Sequence, residues 1–318
     1  MILTTTAELK KYISVATSFN FATLEPYITK AINSYTKKVV GNLHVFLDAS
    51  TTGTNANIKN EAREHLCSAI ANFAYYLFSP YASITMDSSG MANVQNDKQA
   101  PLQNWQLISI QRELLRSGHE SMDLLLEILE KNPAVFTDWT TEFGTVNKDL
   151  LVHNSTDFQL CYNINNSRQT FLSLVPSLRQ IEDKYIKTLF SAEVIIAMKS
   201  STTGSLLELK NYCQKAIVCF TIAKVYDEGI FHLDASGIKL KFDVLPWEKV
   251  QAVDYGKQVD QMNHAIKKQI ENGTQYILLA KDVITDNASD FESFTKIYKK
   301  DAPIKYEAHK TSGIVGLV

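Results

Sequence analysis

A chain of 318 residues, 45% of them apolar, has material for about two packed cores. Its formal net charge of −2 at pH 7 is not the strongly basic balance of a general nucleic-acid binder. No stretch approaches the roughly 20 apolar residues that a helix needs to cross a bilayer, and the opening MILTTTAELKKY lacks the positive region and apolar run of a secretory signal. Cys67, Cys161, Cys213 and Cys219 show no close paired spacing and read as buried thiols of a protein made in a reducing cytoplasm.

In chain order, Thr5 followed by Glu8 marks a capping box that opens a short helix, AELKKYI. A second helix is expected from about Thr23 to Val40. Leu24, Ile28, Ile32, Tyr35 and Val39 give it one apolar face, and Pro26 falls in its first turn, where a missing N–H costs nothing. A third, from about Lys59 to Phe78, sets Ala62, Leu66, Ala69, Ile70, Phe73 and Leu77 on a core face. The pattern then changes. SITMDSSGMANV is short, partly alternating and centred on Asp87, Ser89 and Gly90, which predicts a two-stranded ribbon with Gly90 at positive φ. A helical pair follows from about Pro101 to Lys131, broken near Ser117 to His119. NPAVFTDWTTEFGTVNKDL reads as a linker that packs through Pro133, Trp139 and Phe143.

The turn at Asp87 is written a second time. FHLDASGI carries Asp234, Ser236 and Gly237 in the same order, and the same offset pairs Ala69 with Ala216, Ile70 with Ile217 and Phe73 with Phe220. Upstream, Phe21/Phe171, Leu24/Leu174, Pro26/Pro176, Tyr35/Tyr185 and Lys37/Lys187 agree in step, and STTG occurs at Ser50 and at Ser201. Downstream, Pro101/Pro246, Gln106/Gln251, Arg112/Lys257 and His119/His264 match at a slightly shorter offset. Offsets that drift only in loops are the mark of a duplicated domain. The expected fold class is therefore mainly α, a tandem duplication of a helical-bundle domain carrying a small β-hairpin. The division is a first unit at 1–132, a linker at 133–150, a second unit at 151–280, and a C-terminal helix and extended arm at 281–318.

Each candidate for chemistry has a plainer reading. STTG lacks the Gly-rich turn ending in Lys and Ser or Thr that cradles phosphate, so a capped turn before a helix is expected. His119 and His264 match without a recurring Asp, Cys or Ser around them, and read as helix-start histidines facing solvent. Asp87 and Asp234, each close before a Gly, are expected to bond their own turn backbone. No catalytic, cofactor or metal residues are assigned, and no enzymatic activity is expected. The matched positions are core and turn residues in both copies, which suits a protein presenting two similar faces to partners.

The opening ILTTTAELKKYI, the helix LEPYITKAINSYTKKVVG and the segment AREHLCSAIANFAYYL resemble the small helical head–tail connector proteins of tailed bacteriophages. With Asp138 and Trp139 before a second unit containing NINNSRQTFLSLVPSL, the chain is more closely similar to a duplicated family from phages and prophages of gut bacteria. The resemblance implies a structural virion protein at the head–tail junction, assembled in the bacterial host cytoplasm. It implies a homo-oligomeric ring of twelve or six copies between the portal protein and the tail or further ring proteins, surrounding passing DNA without reading its sequence. It implies no membrane and no cofactor. The rival readings are a cellular helical scaffold or binding protein, and a small-molecule enzyme using a cleft between the units.

The candidate interface residues are the ribbon turns, Asp87, Ser89, Gly90, Asp234, Ser236 and Gly237, and the arm. In APIKYEAHKTSGIVGLV the apolar residues Ile304, Tyr306, Ile314, Val315, Leu317 and Val318 are too many for a solvating tail and too irregular for a helix. An extended strand added to the sheet edge of a neighbouring subunit would satisfy its backbone.

Overall fold

The computed structural model describes residues 2–16, 18–49, 53–82, 84–87, 90–93, 103–228, 232–234, 237–239 and 255–299, with side chains described except at 49, 84–93, 226–239 and 255–262. The first unit opens with α1 (Thr6–Leu9). The Thr5 hydroxyl accepts the Glu8 N–H at 3.2 Å, while the Glu8 carboxylate accepts the Thr4 N–H at 2.8 Å, one residue upstream of the expected partner. Helix α2 (Phe21–Ala31) runs through a π-helical turn (Ile32–Thr36) into α3 (Lys37–Val40). It starts before the expected Thr23, because the Asn20 side chain caps it by accepting the Ala22 N–H at 3.1 Å. Pro26 is consequently inside the helix and not in its first turn. Its exposed position lets water take the carbonyl that a proline leaves unbonded.

Helix α4 (Leu43–Ala49) leads to α5 (Ala56–Phe78), the central helix of the unit. Ala62, Leu66, Ala69, Ile70 and Phe73 are fully buried on it, and Leu77 is partly buried at the edge of the same core. Strands β1 (Ile84–Asp87) and β2 (Gly90–Asn93) form an antiparallel ribbon, and α6 (Asn104–Lys131) returns along α5. The break expected at Ser117 to His119 is absent, since α6 is one helix. Gly118 marks a close approach and not a stop: a Cβ there would lie 2.6 Å from the ring of Phe73. The other face of that ring stacks on Tyr35, with centroids 4.3 Å apart, and Tyr35 is carried by the π turn. Helix α7 (Thr137–Trp139) follows.

The second unit repeats this order, without a counterpart of α3, as α8 (Ser155–Cys161), α9 (Arg168–Ile181) with its π turn (Glu182–Ile186), α10 (Ala192–Ser200), α11 (Gly204–Glu228), β3 (His232–Asp234), β4 (Gly237–Lys239), α12 (Tyr255–Asp286) and α13 (Ala288–Phe291). The π turns at Ile32–Thr36 and Glu182–Ile186 occupy equivalent positions, and a third, Thr140–Gly144, follows α7. Tyr185 stacks on Phe220 at 4.2 Å, and a Cβ on Gly273 would lie 2.7 Å from Phe220. Both STTG segments end in a positive-φ glycine, Gly53 at 82° and Gly204 at 73°, the latter opening α11.

This Tyr–Phe–Gly stack fixes the register of the last helices. With Gly118 over Gly273, buried Met122, Leu125, Ile128 and Leu129 fall on buried Ile277, Ala280, Val283 and Ile284. Asn132 and Asn287 then both end their helices by donating to Ile128 O and Val283 O. The equivalent of His119 is Thr274, so the pairing of His119 with His264, and of Arg112 with Lys257, does not hold. The second unit has a longer segment between ribbon and glycine, so those matches were chance identities.

The two units have separate apolar cores. The stretch 133–150 is shared between them: Phe136 and Trp139 are buried in the first, and Leu150 begins the second. Phe291 and Phe294 take the corresponding places in the second unit. Helix α12 runs without interruption across residue 280. Beyond α13 the chain pairs with the segment before α10, where Ser191 N–H donates to Ile297 O and Lys299 N–H to Leu189 O, both at 2.9 Å.

Candidate assembly surfaces

Each ribbon presents a backbone ladder with one outer edge per strand. Asp87 pairs with Gly90 and Asp234 with Gly237, so both hairpins close through two residues, in the same register. Each sheet is two-stranded, which leaves the outer backbone edges unpaired among the described residues. The turn residues Ser89 and Ser236 lie outside the described residues, as do Ile304, Tyr306, Ile314, Val315, Leu317 and Val318 of the arm. Gly90 and Gly237, in contrast, open β2 and β4 as strand residues flanking the two-residue turns, not within them.

A second surface, not read from the sequence, joins the units. The last half of α6 meets the first turn of α9. Ser167 caps α9 by accepting the Thr170 N–H, and the Asp123 carboxylate takes the Gln169 N–H at 3.0 Å, a negative charge at a helix N-terminus. The Gln169 amide donates to His119 O at 2.8 Å, so its Oε1 is the acceptor opposite His119 Nδ1, also at 2.8 Å. That arrangement requires the proton on Nδ1. Arg168, buried, reaches Glu130 at 3.0 Å and Glu127 at 3.3 Å.

These contacts set the local charge states. Burial holds His119 below the ordinary imidazole range, opposed by the Gln169 hydrogen bond and by Asp123. Burial raises Glu130, opposed by Arg168. Glu127 is lowered, first by its hydrogen bond from Lys131. His119 is thus a mid-helix, largely buried residue packed edge-on against Phe73 and Tyr35, and not the exposed helix-start histidine that the sequence suggests. His264 is exposed, and the structure does not bring the two together.

At this joint lies a cleft of about 790 Å³, lined among others by Trp139, Phe143, Leu172, Glu130 and Arg168. Asn147, also lining it, has a buried Oδ1 that meets no hydrogen-bond donor. The Glu182 carboxylate, fully buried and raised by that burial, accepts the Leu151 N–H at 2.7 Å and ties the start of the second unit to its π turn. Ile32 holds the corresponding place in the first unit, so the repeat gave no signal for Glu182. The four cysteines are free, and burial pushes Cys67 up to about 11. Among the described residues no group of three or more His, Cys, Asp or Glu could hold a metal ion, and no helix is long and apolar enough to cross a membrane.

The protein family described as Family of unknown function (DUF6712) matches the chain twice, over residues 28–145 and 174–303. Each match covers most of one unit, and together they span most of the sequence, so the chain belongs to that family. No curated protein and no solved structure matches.

Proposed function

We propose that this two-unit member of the family is a structural virion protein, a head–tail connector or adaptor ring subunit that joins the portal to the tail of a tailed bacteriophage. The observation that supports this reading best is what the duplication has kept. The π turn, the Tyr–Phe–Gly stack and the ribbon register recur in both units, and all of them define shape. Two like-shaped units in one chain suit a ring held between two other rings, with one unit toward the portal and the other toward the tail. Twelve chains fit that arrangement, and six chains would supply one unit per portal subunit. The arm and the ribbon edges are the natural partners for strand addition between subunits. Coexpression with the portal protein of the same genome, followed by native mass spectrometry, tests the reading. A portal-bound ring is expected, and a chain that never associates with the portal would contradict it.

The cleft between the units favours a second reading, a small-molecule binding protein or enzyme. Its aromatic lining, its buried arginine and the unpartnered Asn147 Oδ1 are features of a ligand pocket. A monomer that retains a small molecule in native mass spectrometry would support that reading instead.

A further inference from the structure

The joint between the units is heterologous: a face of α6 meets the start of α9, two surfaces that are not alike. A chain of two such units uses one of each and leaves one of each open, on α12 of the second unit and at the start of α2 in the first. The Gly118/Gly273 register places Leu278 where Asp123 stands and Asp282 where Glu127 stands. The register of the π turns places Phe19 where Gln169 stands and Ser18 where Arg168 stands.

The central pair of the joint is Asp123 with Gln169, polar on both sides and hydrogen-bonded. Its counterparts are Leu278 and Phe19, apolar on both sides. Leu278 is 53% exposed, beside Leu279 at 37%, on a helix whose Ile277 and Ala280 are buried. Phe19 is partly buried against Tyr75 and Phe78, with its remaining surface at the head of α2. The exchange of a polar pair for an apolar pair is matched on the two open halves.

We propose that a second copy of this chain covers the open face of α12, with its first unit seated there as the second unit is seated on the first within one chain, so that Leu278 meets Phe19 of the partner subunit. Repetition of the joint gives an alternating row of units, which closes into a ring where the rotation per chain allows. The closure rests on the ring reading above; the pairing rests on the joint.

The test uses the full chain. A photo-crosslinking amino acid at position 278 is expected to trap residues 18–22 of a second copy, and Leu278→Glu is expected to weaken self-association by roughly tenfold or more in mass photometry. Leu160→Glu, at a site 82% exposed on α8, should leave association unchanged while controlling for added charge. Circular dichroism checks that both variants fold. Rings that survive Leu278→Glu and crosslink elsewhere would overturn this joint and leave the connector reading standing. A wild-type chain that stays monomeric at all concentrations would overturn it as well.

Discussion

Replacing Gly118 with Ala separates two opposed effects within one helix. Helix propensity alone gives the alanine variant roughly 1 kcal/mol over glycine. The new Cβ, however, would stand 2.6, 2.8 and 2.9 Å from three ring carbons of Phe73. That ring is fully buried and is backed by Tyr35 at 4.3 Å, so it cannot retreat along the stacking direction. Overpacking a rigid core costs about 1–3 kcal/mol, and three contacts this short belong at the upper end. The expected net effect is a loss of about 1–2 kcal/mol. Urea unfolding followed by tryptophan fluorescence reads it, since Trp139 is buried in the first core. Gly273→Ala should act in the same direction through Phe220. Shrinking the ring with Phe73→Leu should make Gly118→Ala neutral or stabilising, a coupling visible in a double-mutant cycle. An alanine variant as stable as the parent would refute the stack as the determinant of the helix approach.

The inter-unit joint should weaken in mild acid. Burial holds the folded pKa of His119 below its unfolded value of about 6.5, so its contribution is complete above that pH and is lost as pH falls through the folded pKa. The hydrogen-exchange protection of the Gln169 amide should drop accordingly, and His119→Asn should remove the dependence. Glu130, whose raised pKa acts in the opposite sense, would remain in that variant as an internal control. At the ribbons, Gly90→Val or Gly237→Val should impair folding or assembly, the outcome that the positive φ expected from the sequence requires; unchanged assembly in both would count against that φ. Deleting residues 303–318 should leave the circular dichroism of the helical core intact and weaken ring formation or docking, and a truncated chain that assembles as well as the parent would remove the arm from the account.

The duplication was legible because its signal sits in residues that packing constrains in both copies. Phe73/Phe220 and Tyr35/Tyr185 hold the same ring stack, and the Asp–Gly spacing sets the same hairpin register. Gly118 was misread for the opposite reason. A glycine inside a helical pattern looks like a break until the ring that needs its missing side chain is known, and that ring is far away in sequence. The register of α6 on α12 slipped with it, since exposed positions such as His264 carry little constraint. The joint was not legible at all. Arg168 and Gln169 have no counterparts of like chemistry in the first unit, where Ser18 and Phe19 stand at the same positions. Asp123, Glu127 and Glu130 read in sequence as an ordinary charged helix face, and only the placement of α9 reveals what they hold.

The central claim, that two like units are built into a ring, is tested most directly by a cryo-EM map of the chain in its assembly. The account predicts a closed ring in which every chain contributes two superposable helical units joined through α6 and α9. A monomeric particle, or an assembly in which the two halves of the chain have different topologies, would contradict it.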